Sequence, residues 1–146
     1  MLNKLGTILY SRFVSNRPFI LSHLVTARCN CRCASCLWRS RAPETENSEE
    51  LRTDEIMDLY GKLKNTGFLA VTLWGGEPLL RDDIVPLLTH AKRLGFHTSL
   101  ITNGYFLNEL HRGLAPVLDT LIVSIDLPSE EHDAVRRCPG LFSRIS

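Results

Sequence analysis

Ala70-Val71-Thr72-Leu73-Trp74-Gly75-Gly76-Glu77-Pro78 is the stretch that decides the fold. Its first five residues form a short apolar run with β-branched members, which predicts a buried strand. It passes without a spacer into two glycines, a carboxylate and a proline, so the strand ends in a tight polar turn. The same succession recurs along the chain. A strand over Phe19 to Val25 leads to Cys29-Asn30-Cys31-Arg32-Cys33-Ala34-Ser35-Cys36, and one over Thr98 to Thr102 leads to Asn103-Gly104. A fourth strand, Leu121 to Asp126, carries Ser124-Ile125-Asp126.

Helical periods separate these strands. Leu51 to Asn65 places Ile56, Leu59, Tyr60 and Leu63 on one face, with acids in its first turn, lysines in its last, and Gly67 to stop it. Asp82 is the expected cap of a second helix that turns Ile84, Leu87, Leu88 and Ala91 inward and ends at Gly95; Pro86 falls in its first turn. Asn108 to Leu118 reads as a weaker helix. Apolar strands alternating with helices make a parallel α/β sheet. All its strand ends lie at one face, where such folds place their sites, so four polar signatures converge on one rim.

The cysteine run carries the most chemistry. Cys29, Cys33 and Cys36 spell C-x3-C-x2-C, one thiolate short of saturating a cubane iron–sulfur cluster, which leaves one iron open to a ligand. Counting Cys31, the same sulfurs could hold zinc, although structural zinc sites usually draw on two separated pairs. Gly75 and Gly76 permit close backbone approach, and Glu77 presents a carboxylate suited to an ammonium group. Taken singly, Gly-Gly and Asn-Gly are common turns, and His132-Asp133 with Arg136-Arg137 reads as a solvated helix face. His23 and His97 have no ligand spacing and read as structural. Ala42 to Glu50 reads as an exposed acidic loop.

The remaining composition excludes more than it assigns. The 146 residues are 44% hydrophobic and 23% charged, enough for one core, and the net charge of +1 gives no case for nucleic acid. No apolar run is long enough to span a bilayer. Met1 to Pro18 mixes Leu2, Leu5, Ile8, Leu9 and Phe13 with Lys4, Arg12 and Arg17, a basic amphipathic helix for the end of the domain or a membrane surface. It lacks the apolar core of a signal peptide. Four closely spaced cysteines in an odd total of five, with no secretory signal, point to a reducing compartment, hence the cytoplasm.

Taken together, and in this order, the pieces resemble the radical SAM superfamily, above all its molybdopterin-precursor and peptide-modifying members. The resemblance runs from about Phe19 to the C-terminus. It implies a partial parallel β/α (TIM-like) barrel of about four βα units, with residues 1–18 as an extension and 19–146 as an incomplete core domain. It implies Cys29, Cys33 and Cys36 on three irons of a [4Fe–4S] cluster whose fourth iron is chelated by S-adenosylmethionine. Gly75, Gly76 and Glu77 would hold the amino group of that cosubstrate, and Thr102, Ser124 and Asp126 its ribose or methionine end. The implied activity is reductive cleavage of S-adenosylmethionine to a radical that abstracts hydrogen from a substrate. A reduced flavodoxin or ferredoxin-type protein would supply the electron.

Cys31, alternating with its neighbours, is expected to point away from the cluster. Two positions depart from the family: Ser35 stands where an aromatic usually packs on the adenine, with Trp38 as a substitute, and Cys138 stands where glycine is common. The alternatives are a non-catalytic iron–sulfur or zinc protein and an inactive fragment. The family barrel has six strands, so the edge of the fourth is expected to stand unpaired and to drive association. The sequence names no substrate.

Overall fold

The computed structural model describes residues 2–10, 13, 18–37 and 50–146. In chain order they form α1 (Leu2–Tyr10), β1 (Ile20–Thr26), α2 (Thr53–Asn65), β2 (Ala70–Gly75) and a 3-10 turn (Pro78–Leu80). There follow α3 (Ile84–Arg93), β3 (His97–Thr102), α4 (Leu107–Leu114), β4 (Thr120–Val123), α5 (Glu131–Arg136) and α6 (Leu141–Ile145). The strands make one sheet in the order β1-β2-β3-β4, each neighbouring pair parallel. Parallel crossovers are right-handed as a rule, and an order that never reverses then places successive helices on the same face. That is how a β/α barrel wall is wound, whereas a doubly wound sheet reverses its order and takes helices on both faces.

The burial pattern agrees. Val71 and Leu73 of β2 and Leu100 of β3 are fully buried in one cluster with Ile56 and Tyr60 of α2 and Ile84, Leu87, Leu88 and Ala91 of α3. The alternate residues of β2, Thr72 and Trp74, are only partly buried. The apolar strand is therefore sealed on its helix side and open on the other. Helix α2 carries Asp54 and Glu55 in its first turn and Lys62 and Lys64 in its last, complementing its dipole. The chain leaves it through Gly67 at φ +99°.

Several boundaries move, three of them notably. The cap position of α3 is Asp83, not Asp82, and its carboxylate bonds Arg81 and Thr53 rather than the helix amides. Helix α4 stops at Leu114, because Pro116 offers no N–H to continue it. Strand β4 stops at Val123, so Ser124 and Asp126 follow a strand rather than interrupt one. Leu121, Ile122 and Ile125 are exposed there, as are Leu5, Leu9 and Tyr10 of α1. Among the described residues no helix is long and apolar enough to cross a membrane.

Candidate functional site

The glycine pair is where two strand exits meet. A Cβ at Gly75 would lie 2.2 Å from the Thr26 carbonyl oxygen, and one at Gly76 would lie 2.2 Å from that of Arg28. Gly76 N donates to Thr26 O and Glu77 N to Arg28 O, both at 2.8 Å. The glycines thus let the chain leaving β2 lie against the chain leaving β1, directly before Cys29.

Glu77 behaves differently from a carboxylate presented to a ligand. It is fully buried and accepts hydrogen bonds from Thr102 Oγ1 at 2.7 Å, Asn103 N at 2.7 Å and Leu79 N at 3.0 Å. Burial pushes its pKa up, and those three bonds oppose the shift. The carboxylate therefore splices the end of β2 to the end of β3. Asn103 carries the splice onward, donating from Nδ2 to Asn30 Oδ1 at 2.8 Å and to Cys31 Sγ at 3.3 Å. As a turn dipeptide, Asn103-Gly104 gave no sign of this reach.

The cysteines divide by exposure. Cys29 and Cys36 are exposed and Cys33 is half-buried, whereas Cys31 is buried in one cluster with Cys138 and Leu141. The Cys29 thiol is drawn down to about 7, chiefly by a hydrogen bond with Cys31, whose own pKa is raised by the same contact and by burial. Burial raises Cys33, and Arg136 opposes the shift. The loop is fastened to the end of α5: Arg32 N donates to Arg136 O at 3.1 Å and Ala34 N to Val135 O at 3.4 Å.

An open cavity of about 220 Å³ brings Cys29, Cys33 and Cys36 together with Gly75 and Gly76, and Cys31, expected to point away, also reaches its wall, though buried. Thr102 and Ser124 also line it, as does Trp74. Thr102 spends its hydroxyl on Glu77 and on Gly104 N at 3.0 Å. Asp126 is drawn aside, its Oδ2 lying 2.5 Å from Arg136 Nε. Trp38 lies outside the described residues, as does the acidic stretch up to residue 49.

The chain matches the radical SAM superfamily over residues 24–144. It belongs to that superfamily. It is 32% identical over 134 residues to an AdoMet-dependent heme synthase of Methanosarcina barkeri, covering 90% of this chain and 38% of that protein. It is 37% identical over 105 residues to a GTP 3',8-cyclase of Lactiplantibacillus plantarum, covering 70% of this chain and 32% of that one. The fold resembles Streptococcus suis SuiB bound to its precursor peptide SuiA, with a TM-score of 0.73, 18% identity, and 98% and 32% of the two chains covered. SuiB bound to S-adenosylmethionine gives a TM-score of 0.66 at 20% identity over 92% and 32%. The chain thus spans about a third of the length of these relatives.

Several residues of this radical SAM chain escaped the sequence reading. His132 is fully buried and its Nδ1 accepts from Asp126 N at 3.2 Å, so the solvated-face reading fails there. It fails for Arg136 too, which lines the cavity. Asp133 instead caps α6, accepting from Gly140 N at 2.5 Å and Phe142 N at 2.7 Å. Glu50 belongs to no free loop: it bonds Thr26, Arg28 and the buried Arg81, which itself donates to Val25 O at 3.0 Å and Leu51 O at 3.1 Å. No side-chain spacing announces that cluster, because its members come from separate turns. His23 and His97 are structural, bonded to Tyr60 Oη and Thr120 Oγ1.

The donor set fits an iron–sulfur cubane. Three accessible thiols surround one cavity, beside a turn stripped of side chains. Cubane ligands sit on three separate irons, so the three thiols need not converge on one ion.

Proposed function

We propose that this chain forms the cofactor-binding part of a radical SAM enzyme. Cys29, Cys33 and Cys36 would hold three irons of a [4Fe–4S] cluster, leaving the fourth for S-adenosylmethionine. The observation that carries this reading is that these three thiols, and the Gly75-Gly76 turn, line one cavity at the ends of parallel strands. When bound, the cluster supplies one electron to the carbon–sulfur bond of S-adenosylmethionine and so starts radical chemistry on a substrate.

The chain's own residues then have distinct tasks. The low pKa of Cys29 keeps a thiolate available as a ligand. Gly75 and Gly76, packed against the backbone leaving β1, put bare main chain on the cavity wall, where the cosubstrate's amino group would lie. Ser124 offers a hydroxyl on the cavity wall, and Trp74 an aromatic surface that Ser35 lacks. Glu77 acts through Thr102 and Asn103, holding the rim in place. A reduced flavodoxin or ferredoxin-type protein would deliver the electron, in the cytoplasm, and the rest of the enzyme would bind the substrate.

Anaerobic reconstitution with iron and sulfide tests the reading. The expected protein is brown, its reduced form gives an electron-spin signal that changes with S-adenosylmethionine, and it releases 5′-deoxyadenosine. A colourless protein that retains zinc would overturn it.

A further inference from the structure

Arg136 is a half-buried cation with two neighbours of opposite kind. Its Nε lies 2.5 Å from Asp126 Oδ2, and its Nη1 donates to Cys33 Sγ at 3.9 Å. The Arg136 side chain is 18% exposed and that of Asp126 42%. The position is fixed from the backbone as well. The carbonyls of Val135 and Arg136 accept the amides on either side of Cys33, those of Arg32 and Ala34. Arg137 follows at φ +48°, turning the chain away immediately afterwards. Cys33 is thus a candidate ligand with a guanidinium held against its sulfur.

We propose that the Arg136–Asp126 pair is a positioning device that sets the reduction potential of the cluster through Cys33. This rests on the cluster assignment above. One-electron reduction adds a negative charge to the cluster and its thiolates. A guanidinium against one of those sulfurs stabilises the reduced form and raises the potential. Asp126 offsets part of that charge, so the two members of the pair act in opposite directions. Arg is suited to the task because its charge persists at every working pH, and its planar fork serves a carboxylate and a sulfur together.

The test compares the unmodified protein with Arg136→Gln, Arg136→Lys and Asp126→Asn. All are reconstituted with iron and sulfide, and titrated by electron-spin signal against redox mediators without S-adenosylmethionine. Iron and sulfide counts accompany each. We expect Arg136→Gln to lower the reduced-to-oxidised ratio at a given potential about tenfold, a shift of ~59 mV for one electron. Arg136→Lys should recover most of it, and Asp126→Asn should shift the potential the other way. Equal potentials in all four cluster-bearing proteins would overturn the proposal, as would shifts of the same sign in Arg136→Gln and Asp126→Asn. If Arg136→Gln fails to load, Asp126→Asn and Arg136→Lys still decide the sign. An unmodified protein that takes up no cluster overturns the cluster assignment and this proposal together.

Discussion

The two sides of the sheet are built on different terms. On the helix side, Val71, Leu73 and Leu100 meet Ile56, Leu87 and Leu88 in a core where volume is the main requirement. At the rim, each polar group is answered by another from a distant part of the chain: Glu77 by Thr102 and Asn103, Asn103 by Asn30, Cys33 by Arg136. The core would tolerate another apolar residue of similar size. The rim is a network of directed bonds, where losing one group leaves its buried partners unsatisfied.

The largest test separates the two sides by metal content. Cys29→Ala, Cys33→Ala and Cys36→Ala should each abolish the brown chromophore, while Cys31→Ala keeps it, with thermal midpoints changing little. Iron loss at Cys31 equal to that at Cys29 would show four ligands instead of three. The converse change is Leu73→Ala, which should cost about 2–5 kcal/mol in denaturant unfolding while iron uptake under native conditions survives. Equal damage to both quantities would mean that core and rim unfold as one.

Two carboxylates sharpen the contrast through pH. Glu77 has its pKa raised by burial, so its contribution to stability is present below its usual 4.5 and is lost as pH climbs through the raised value. Asp119, paired with Lys92 at 2.5 Å and accepting from Thr98 N at 2.9 Å, is drawn down to about 2. Its contribution is present above 3.8 and is lost as pH falls toward 2. Unfolding free energies across pH should therefore show Glu77→Gln removing a decline with rising pH, at an overall cost of about 1–3 kcal/mol. Asp119→Asn should remove a decline with falling pH, at about 0.2–1 kcal/mol, since that pair is partly exposed. Slopes of the same sign would contradict the burial argument.

Legibility in the sequence followed the same division. The helix side was readable because period 3.6 marks Ile56, Tyr60, Leu87 and Leu88, and short apolar runs mark the strands. The convergence of cysteines, glycines, Thr102 and Ser124 was readable because parallel strands carry their ends to one rim. What stayed hidden were pairings across the rim. Asp126 looked like a ligand residue and is tied to Arg136; Glu77 looked outward and lies inward; Asn103 looked like a turn and holds the cysteine loop. Such pairings depend on side-chain direction and on approaches across 10 to 73 residues of chain, which local spacing does not encode.

The two glycines carry a consequence for anyone redesigning this scaffold. Because the backbone at Arg28 occupies the space a side chain at Gly76 would need, Gly76→Ala would displace the root of the cysteine loop forty-odd residues away in sequence. The loop is consequently not a portable cassette. Grafting Cys29 to Cys36 onto another barrel would transplant the sulfurs without the bare turn they lean on, or the asparagine that clasps them. The smallest transferable unit is three strand exits together, and a designer who moves fewer inherits a loop with no fixed shape.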